Sequence, residues 1–225
     1  MNQIDDKRAV EWEVSEFLFD MDGTLLDSIA AVEQAWHEWA TEEGVTIPDG
    51  ESFHGRTSRD LAAAFVPEER IPAALFRLSE IEQRPRVPVT PLPGAAELLA
   101  AVPEDKWAVV TSAARLVAKA RLAAGGIRLP TLLITGDDVT LGKPDPEPYR
   151  AGTRWARKGV PPVAFEDTVA GLRSARLAGC RTVGVVGTAT AAELRPHADA
   201  VITTLADVAV LLPPDGSLGV RLHVM

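Results

Sequence analysis

The sequence predicts an α/β protein in which a doubly wound parallel sheet is interrupted by an entirely helical segment. Short apolar runs rich in β-branched residues alternate with stretches of helical spacing, which is typical of βαβ units. The runs are almost wholly apolar, as expected for strands buried on both faces. The helical segment is predicted because residues 28–90 show helical spacing and no convincing strand.

The predicted strands cover residues 17–19, 108–110, 132–135, 162–165, 182–186 and 200–202. The predicted helices that alternate with them cover residues 95–101, 116–124, 146–157, 169–178 and 191–195. Within the helical segment the predicted helices cover residues 29–44, 59–65 and 71–81. The tail after Leu212 is rich in turn residues and is predicted to be an appendage.

Prolines set the expected domain boundary. Four prolines between residues 85 and 93, followed by Gly94, predict a stiff extended crossing in which neither a helix nor a central strand forms. We therefore expect a core domain of residues 1–27 and 91–225 and a helical domain of residues 28–90.

Charge and composition exclude several classes of function. The 225 residues include 23 Lys and Arg against 32 Asp and Glu, a net charge of −9. Nucleic acid is not an expected partner, because phosphate backbones are held by clustered basic residues. No apolar run is long enough for a membrane span, and the first residues are too acidic for a secretory signal, so we expect a cytoplasmic protein with no membrane partner. The single cysteine, Cys180, is expected to be a buried small residue without chemistry.

An acid pair marks the end of the first predicted strand. Asp20 and Asp22 follow the apolar residues 17–19 and directly precede the turn at Gly23. Ligands of open parallel sheets bind at this carboxyl edge. Two carboxylates there can divide the work, one as nucleophile or metal ligand and the other as proton donor. The alternative is an acidic strand-to-helix turn without chemistry.

Three later strand ends carry residues suited to phosphate or metal. Thr111 and Ser112 offer a hydroxyl and free N–H groups to a phosphoryl oxygen, although a threonine in the position of Thr111, taken alone, is more often a helix N-cap. Lys143 is placed to neutralise a phosphate or an aspartate, although a lone loop lysine is usually solvated. Glu166 and Asp167 form a natural oxygen-ligand pair for Mg²⁺, or cap the next helix.

The order of these groups resembles the haloacid dehalogenase superfamily of aspartyl-phosphate phosphotransferases. The four motifs that carry the resemblance are Asp20-x-Asp22-Gly23-Thr24, Thr111-Ser112, Lys143 and Glu166-Asp167. Residues 106–112, 142–149 and 165–171 resemble the branch of sugar-phosphate and polyol-phosphate phosphatases that includes 2-deoxyglucose-6-phosphatases and glycerol-phosphatases. That branch has a Rossmann-like core with a helical cap inserted after the first motif, where the helical segment lies here.

The resemblance implies a Mg²⁺-dependent phosphatase in which Asp20 attacks phosphorus to form an aspartyl-phosphate and Asp22 acts as acid and then base. It implies that Asp20, the Asp22 carbonyl and Asp167 bind Mg²⁺, with Glu166 acting directly or through water. Thr111, the Ser112 amide and Lys143 are implied to hold the phosphoryl group.

The cap loop around His54, Gly55 and Arg56 is implied to contact the rest of a small phosphate ester. The alternative is that these residues only form a solvated turn between helices. The protein is expected to be a monomer or a weak homodimer.

Single residues distinguish this function from the alternatives. A β-phosphoglucomutase has Val where Thr24 stands, and its cap arginine aligns with Ser58; Arg56 or Arg59 could replace that arginine, so this alternative stays open. A dehalogenase has no need of Asp22. A phosphonatase needs a cap lysine, and residues 28–105 contain none. A non-enzymatic phospho-acceptor domain has its acidic pair before the acceptor and lacks a helical insertion.

Overall fold

The computed structural model describes residues 8–48, 57–154 and 159–225. Its strands are β1 (Ala9–Glu13), β2 (Phe17–Phe19), β3 (Leu26–Asp27), β4 (Thr90–Pro91), β5 (Trp107–Val110), β6 (Leu133–Ile134), β7 (Val163–Glu166), β8 (Arg181–Val185), β9 (Ala200–Ile202), β10 (Val208–Leu211) and β11 (Gly219–His223). Its α-helices are α1 (Ile29–Glu43), α2 (Ser58–Ala62), α3 (Ile71–Glu82), α4 (Ala95–Ala101), α5 (Arg115–Ala124), α6 (Glu147–Gly152), α7 (Val169–Leu177) and α8 (Ala191–Leu194).

A six-stranded parallel sheet forms the centre of the protein, in the order β6-β5-β2-β7-β8-β9. Along the chain, β5 and β6 are added on one side of β2, and β7, β8 and β9 are then added on its other side. Alternate residues of β2 enter two different apolar clusters: Phe17 and Phe19 join one, and Leu18 joins the other. The sheet is therefore covered on both faces, which confirms the predicted doubly wound α/β class.

A second sheet corrects the prediction for both ends of the described chain. β11 pairs antiparallel with β1 on one side and β10 on the other, although the sequence predicted no strand before residue 17 and a turn-rich appendage after Leu212. Val220 and Leu222 are fully buried, while Arg221 between them faces solvent. This period-2 alternation predicts a strand with one buried face, and the turn residues before it obscured that signal.

Most other elements agree with prediction to within one or two residues at their ends, where helices fray. Two helices are shorter than predicted. α6 ends at Gly152 rather than 157, with residues 155–158 outside the described chain, and α2 ends at Ala62 rather than 65. No helix in the described parts of the chain is both long and apolar enough to cross a membrane.

The helices α1, α2 and α3 enclose an apolar cluster of their own. At its centre, the indole rings of Trp36 and Trp39 meet edge to face with their centroids 5.2 Å apart. The Trp39 Nε1 donates a hydrogen bond to the carbonyl of Ala74 at 3.0 Å, which ties α1 to α3. Both tryptophans are therefore packing residues, and Cys180 is likewise buried as expected.

The role of β11 can be tested by truncating one buried side chain. We expect Leu222→Ala to lower the free energy of unfolding by about 2–5 kcal/mol, because it leaves a cavity in the main core. The measurement is urea denaturation followed by circular dichroism. The control is Leu212→Ala, where the side chain is 61% exposed and little change is expected. Equal effects of the two substitutions would contradict a packed β11.

Candidate active site

Three strands deliver the predicted site residues to one edge of the parallel sheet. The register places Phe19 of β2 level with Val109 of β5 and Phe165 of β7. The residues that follow these positions therefore emerge together at the carboxyl edge. They include Asp20, Asp22, Thr111, Ser112 and Asp167, which line one cavity beneath the helical segment.

Lys143 lies at the centre of this group, with its side chain only 1% exposed. Its ammonium donates to Asp20 Oδ1 at 2.5 Å, to Glu166 Oε1 at 2.6 Å and to the carbonyl of Val110 at 2.9 Å. These three acceptors match the three N–H groups of a lysine. The alternative of a solvated loop lysine is therefore wrong.

Glu166 orients this lysine. Its Oε1 also accepts from the Tyr149 hydroxyl at 2.8 Å, and its Oε2 accepts from Thr168 Oγ1 at 3.0 Å. The carboxylate fits against α7 because residue 171 is glycine: a Cβ there would lie 1.9 Å from the Glu166 carboxyl carbon. Tyr149 and Gly171 were not assigned a role from the sequence, although both lie in the stretches that carry the family resemblance.

Asp167 offers a free ligand atom at the site. It is fully buried, and its Oδ1 accepts from Thr24 Oγ1 at 3.3 Å. Its Oδ2 has no hydrogen bond of good geometry from the described residues, although the nearby Thr188 hydroxyl lowers the pKa of the carboxyl. Oδ2 occupies the space where a Cβ of Gly23 would stand, 2.1 Å away, and Gly23 has a φ of +82°. Only glycine therefore fits that turn.

The three carboxylates of Asp20, Glu166 and Asp167 offer oxygens that all lie within 4.8 Å of one another. Among the described residues, the ammonium of Lys143 is the one that faces them. Hard oxygen donors with surplus negative charge suit Mg²⁺. The partnerless Oδ2 of Asp167 further fits a bound cation, since a buried carboxylate oxygen without a partner is costly.

Burial shapes the protonation of this cluster. It raises the pKa of the Asp20 carboxyl well above its usual value, and the charges of Glu166 and Asp167 add to this while Lys143 opposes it. Burial and the neighbouring Glu166 raise the pKa of Asp167 to about 7. Burial alone lowers the pKa of Lys143, but the charges of Asp20 and Glu166 outweigh it and the pKa is raised, so the ammonium persists.

Thr111 and Ser112 lie at the end of β5, and the helix that follows begins only at Arg115, with Ala114 as its N-cap. The N-cap alternative for Thr111 is therefore wrong. Thr111 is buried, and its Oγ1 accepts from the Ala113 amide at 3.1 Å. The Ser112 Oγ is buried without a partner among the described residues.

Asp22 is held on both of its carboxylate oxygens. Oδ1 accepts from Ser28 Oγ at 2.6 Å, and Oδ2 accepts from Arg121 Nη1 at 2.8 Å. Arg121 also binds Glu82 of α3. Neither Arg121 nor Glu82 belongs to a sequence motif, because Arg121 lies 99 residues from Asp22 and 39 residues from Glu82.

The proposed specificity residues His54, Gly55 and Arg56 lie outside the described residues. Their assignment stays a prediction. Ser58, which follows them at the start of α2, lines the cavity together with Asp20.

The fold and the site define a class of hydrolase. A family model described as haloacid dehalogenase-like hydrolase matches residues 17–185, which span the first to the fourth motif. The chain belongs to the haloacid dehalogenase-like hydrolase family.

Individual relatives within this family show more specifically which proteins the chain resembles. The chain is 37% identical over 214 residues to hexitol phosphatase A of Escherichia coli, covering 90% of this chain and 96% of that protein. It is 34% identical over 195 residues to glycerol-1-phosphate phosphohydrolase 2 of Saccharomyces cerevisiae, covering 80% and 78%. The crystal structure of CbbY from Rhodobacter sphaeroides in complex with phosphate has a TM-score of 0.69 at 26% identity, covering 86% and 96%. The predicted resemblance to polyol-phosphate phosphatases is confirmed.

The buried ion cluster can be tested through stability. We expect Lys143→Met to lower the free energy of unfolding by about 3–5 kcal/mol at pH 8 in chelator, because it leaves Asp20 and Glu166 buried without a cation. The loss should shrink toward pH 5. Since burial raises the native pKa of Asp20 above the unfolded value, the native variant binds more protons and gains stability as pH falls.

The measurement is urea denaturation at both pH values. The control is Lys119→Met, which removes a lysine from the exposed face of α5. A Lys143→Met protein as stable as this control at pH 8 would refute the role of Lys143 as counterion.

Proposed function

We propose that the chain is a Mg²⁺-dependent phosphatase that hydrolyses a small sugar or polyol phosphate monoester through an aspartyl-phosphate on Asp20. One observation carries the proposal. Asp20 is anchored by the buried Lys143 beside Asp167, in the cavity that Thr111 and Ser112 also line. The similarity to hexitol phosphatase A over nearly the whole chain supports a polyol phosphate as substrate.

The carboxylates of Asp20 and Asp167 and the main-chain carbonyl of Asp22 would hold the magnesium ion. Glu166 has both oxygens occupied by Lys143, Tyr149 and Thr168, which favours a supporting role for it. When bound, the ion would supply positive charge that offsets repulsion between the Asp20 carboxylate and the phosphate dianion.

Asp20 performs the first displacement. Lys143 holds its Oδ1, which fixes the carboxylate so that it can attack phosphorus in line with the leaving oxygen. The Asp20 carbon–oxygen framework stays intact while a new oxygen–phosphorus bond forms and the ester bond breaks. The lysine charge also stabilises negative charge on the transferring phosphoryl oxygens.

Asp22 acts as the general acid of the first displacement and the general base of the second. In its protonated form it donates a proton to the departing ester oxygen, which leaves as the alcohol, because an alkoxide is a poor leaving group. The resulting carboxylate then removes a proton from the water that attacks the phosphorus of the aspartyl-phosphate. Thr111 and the unpartnered hydroxyl of Ser112 would bind the phosphoryl oxygens meanwhile.

The helical segment would act as a cap domain over residues 1–27 and 91–225. Its own apolar cluster supports this division, since it gives α1, α2 and α3 an independent core. The loop with His54, Gly55 and Arg56 would contact the polyol. A cytoplasmic location and a monomeric or weakly dimeric state stay predictions.

A phosphate-release screen tests the reaction and separates it from the mutase alternative. Sugar, polyol and short-chain acid phosphates are incubated with enzyme and Mg²⁺, together with β-glucose 1-phosphate. Inorganic phosphate should appear with polyol or sugar phosphates as the best substrates. Conversion of β-glucose 1-phosphate to glucose 6-phosphate without phosphate release would favour a mutase instead.

Replacing the nucleophile should abolish turnover. We expect Asp20→Asn to lower kcat by more than about 10⁴-fold on every substrate, because an amide is a poor nucleophile. Asp27→Asn, which neutralises an exposed aspartate nearby, is the matched control and should keep wild-type activity. An Asp20→Asn enzyme with a tenth or more of wild-type activity would rule out the aspartyl-phosphate mechanism.

The metal requirement should depend on Asp167. We expect Asp167→Ala to raise the Mg²⁺ concentration for half-maximal activity by at least about 10-fold, because one hard oxygen ligand is lost. Mg²⁺ titrations of chelator-treated enzyme measure this, with the exposed Asp105→Ala as control. Full wild-type activity after exhaustive chelation would remove the metal from the mechanism.

A further inference from the structure

A buried charge network joins the helical segment to the proton-transfer residue. Arg121 of α5 uses Nη1 to bind Asp22 Oδ2 at 2.8 Å and Nη2 to bind Glu82 Oε1 at 2.7 Å. The side chains of Arg121 and Glu82 are 3% and 5% exposed. One guanidinium therefore spans from the last residue of α3 to the catalytic edge of the sheet.

The burial of this network fixes its geometry. Burial lowers the pKa of Arg121, but the charges of Asp22 and Glu82 outweigh it, so the guanidinium stays charged. Its planar fork presents separate N–H groups to the two carboxylates, and this fixes their relative position more tightly than an ammonium would. Ser28, which holds the other oxygen of Asp22, precedes α1 directly. Both groups that bind Asp22 thus adjoin the helical segment: Ser28 stands at its start, and Arg121 of the core binds Glu82 of α3.

A contribution to the stability of the fold does not by itself explain why these three charged side chains are buried together. Taking one guanidinium and two carboxylates out of water carries a desolvation penalty that their attraction often only balances. The other ion pairs of α3 are exposed, such as Arg77 with Glu80 at 3.2 Å. In contrast, the three residues of the buried network line the cavity that Asp20 and Thr111 also line; they are Asp22, Glu82 and Arg121.

We propose that Arg121 is a positioning residue for Asp22, and that Glu82 makes this positioning depend on the helical segment being seated on the core. The proposal rests on the proposed function, because it concerns the proton that Asp22 gives to the leaving group. Arg121 holds the carboxyl in the orientation that reaches the leaving oxygen. Glu82 holds Arg121 in place only while α3 lies against α5.

The leaving group provides a readout that a purely structural role would not move. An alcohol needs a proton as it departs, whereas p-nitrophenolate leaves without one. The value of kcat/KM reports the steps up to departure of the leaving group, so it excludes the later hydrolysis of the phosphoenzyme. Loss of positioning should therefore lower kcat/KM for a polyol phosphate far more than for p-nitrophenyl phosphate.

The experiment compares Glu82→Gln and Arg121→Lys with wild type on the best polyol phosphate from the screen and on p-nitrophenyl phosphate. For each variant we expect kcat/KM to fall about 10- to 100-fold on the polyol phosphate, within the contribution of a general acid. On p-nitrophenyl phosphate we expect a fall of less than about 3-fold. Glu80→Gln, on the exposed face of the same helix, should change neither value.

A double-mutant cycle tests whether Arg121 acts through Asp22. In an Asp22→Asn background, Arg121→Lys should produce no further change in the ratio of the two kcat/KM values. Thermal unfolding of every variant identifies any variant that fails to fold. If Arg121→Lys does not fold, Glu82→Gln still tests the proposal. Equal losses on both substrates, no loss on either, or an additive loss in the Asp22→Asn background would each overturn the positioning role.

Failure of the proposed function looks different. A wild-type enzyme that releases phosphate from neither substrate, or an Asp20→Asn enzyme that remains active, would overturn both proposals. An active wild-type enzyme whose Glu82 and Arg121 variants do not discriminate between leaving groups overturns the positioning role alone.

Discussion

The site depends on one buried ammonium that faces three buried carboxylates. Lys143 holds Asp20 and Glu166 directly, and Asp167 stands close by with an oxygen that no described residue satisfies. A cluster with this excess of negative charge is stable only when protons or cations offset it. Burial, together with the neighbouring carboxylates, raises the pKa of Asp20 and of Asp167, and the excess of negative charge makes the cluster a place for a divalent cation and a phosphoryl group.

Small residues make the cluster possible. Gly171 leaves room for the carboxylate of Glu166, and Gly23 leaves room for Oδ2 of Asp167. The parallel register then brings residues from β2, β5 and β7 to one edge although they are far apart in sequence. The glycines of the motifs are thus required by the packing of charged side chains as much as by the turns in which they stand.

The sequence was most informative where chemistry follows a strand. The parallel sheet and the residues Asp20, Lys143 and Asp167 were predictable, because buried strands and the polar residues after them leave a local pattern. β11 was missed because its alternation is short and follows a run of turn residues. The Arg121–Glu82 pair was missed for a different reason: it joins two helices whose contact depends on tertiary packing, and neither residue belongs to a motif.

Trapping the phosphoryl group on Asp20 tests the proposed mechanism most directly. Asp22→Asn enzyme, which lacks the base for the second displacement, is mixed with p-nitrophenyl phosphate and Mg²⁺, quenched in acid, and analysed by intact-protein and peptide mass spectrometry. We expect one added phosphoryl group, located on the peptide that contains Asp20. Release of p-nitrophenolate from an enzyme that stays unmodified, or a phosphoryl group on any other residue, would contradict the aspartyl-phosphate mechanism.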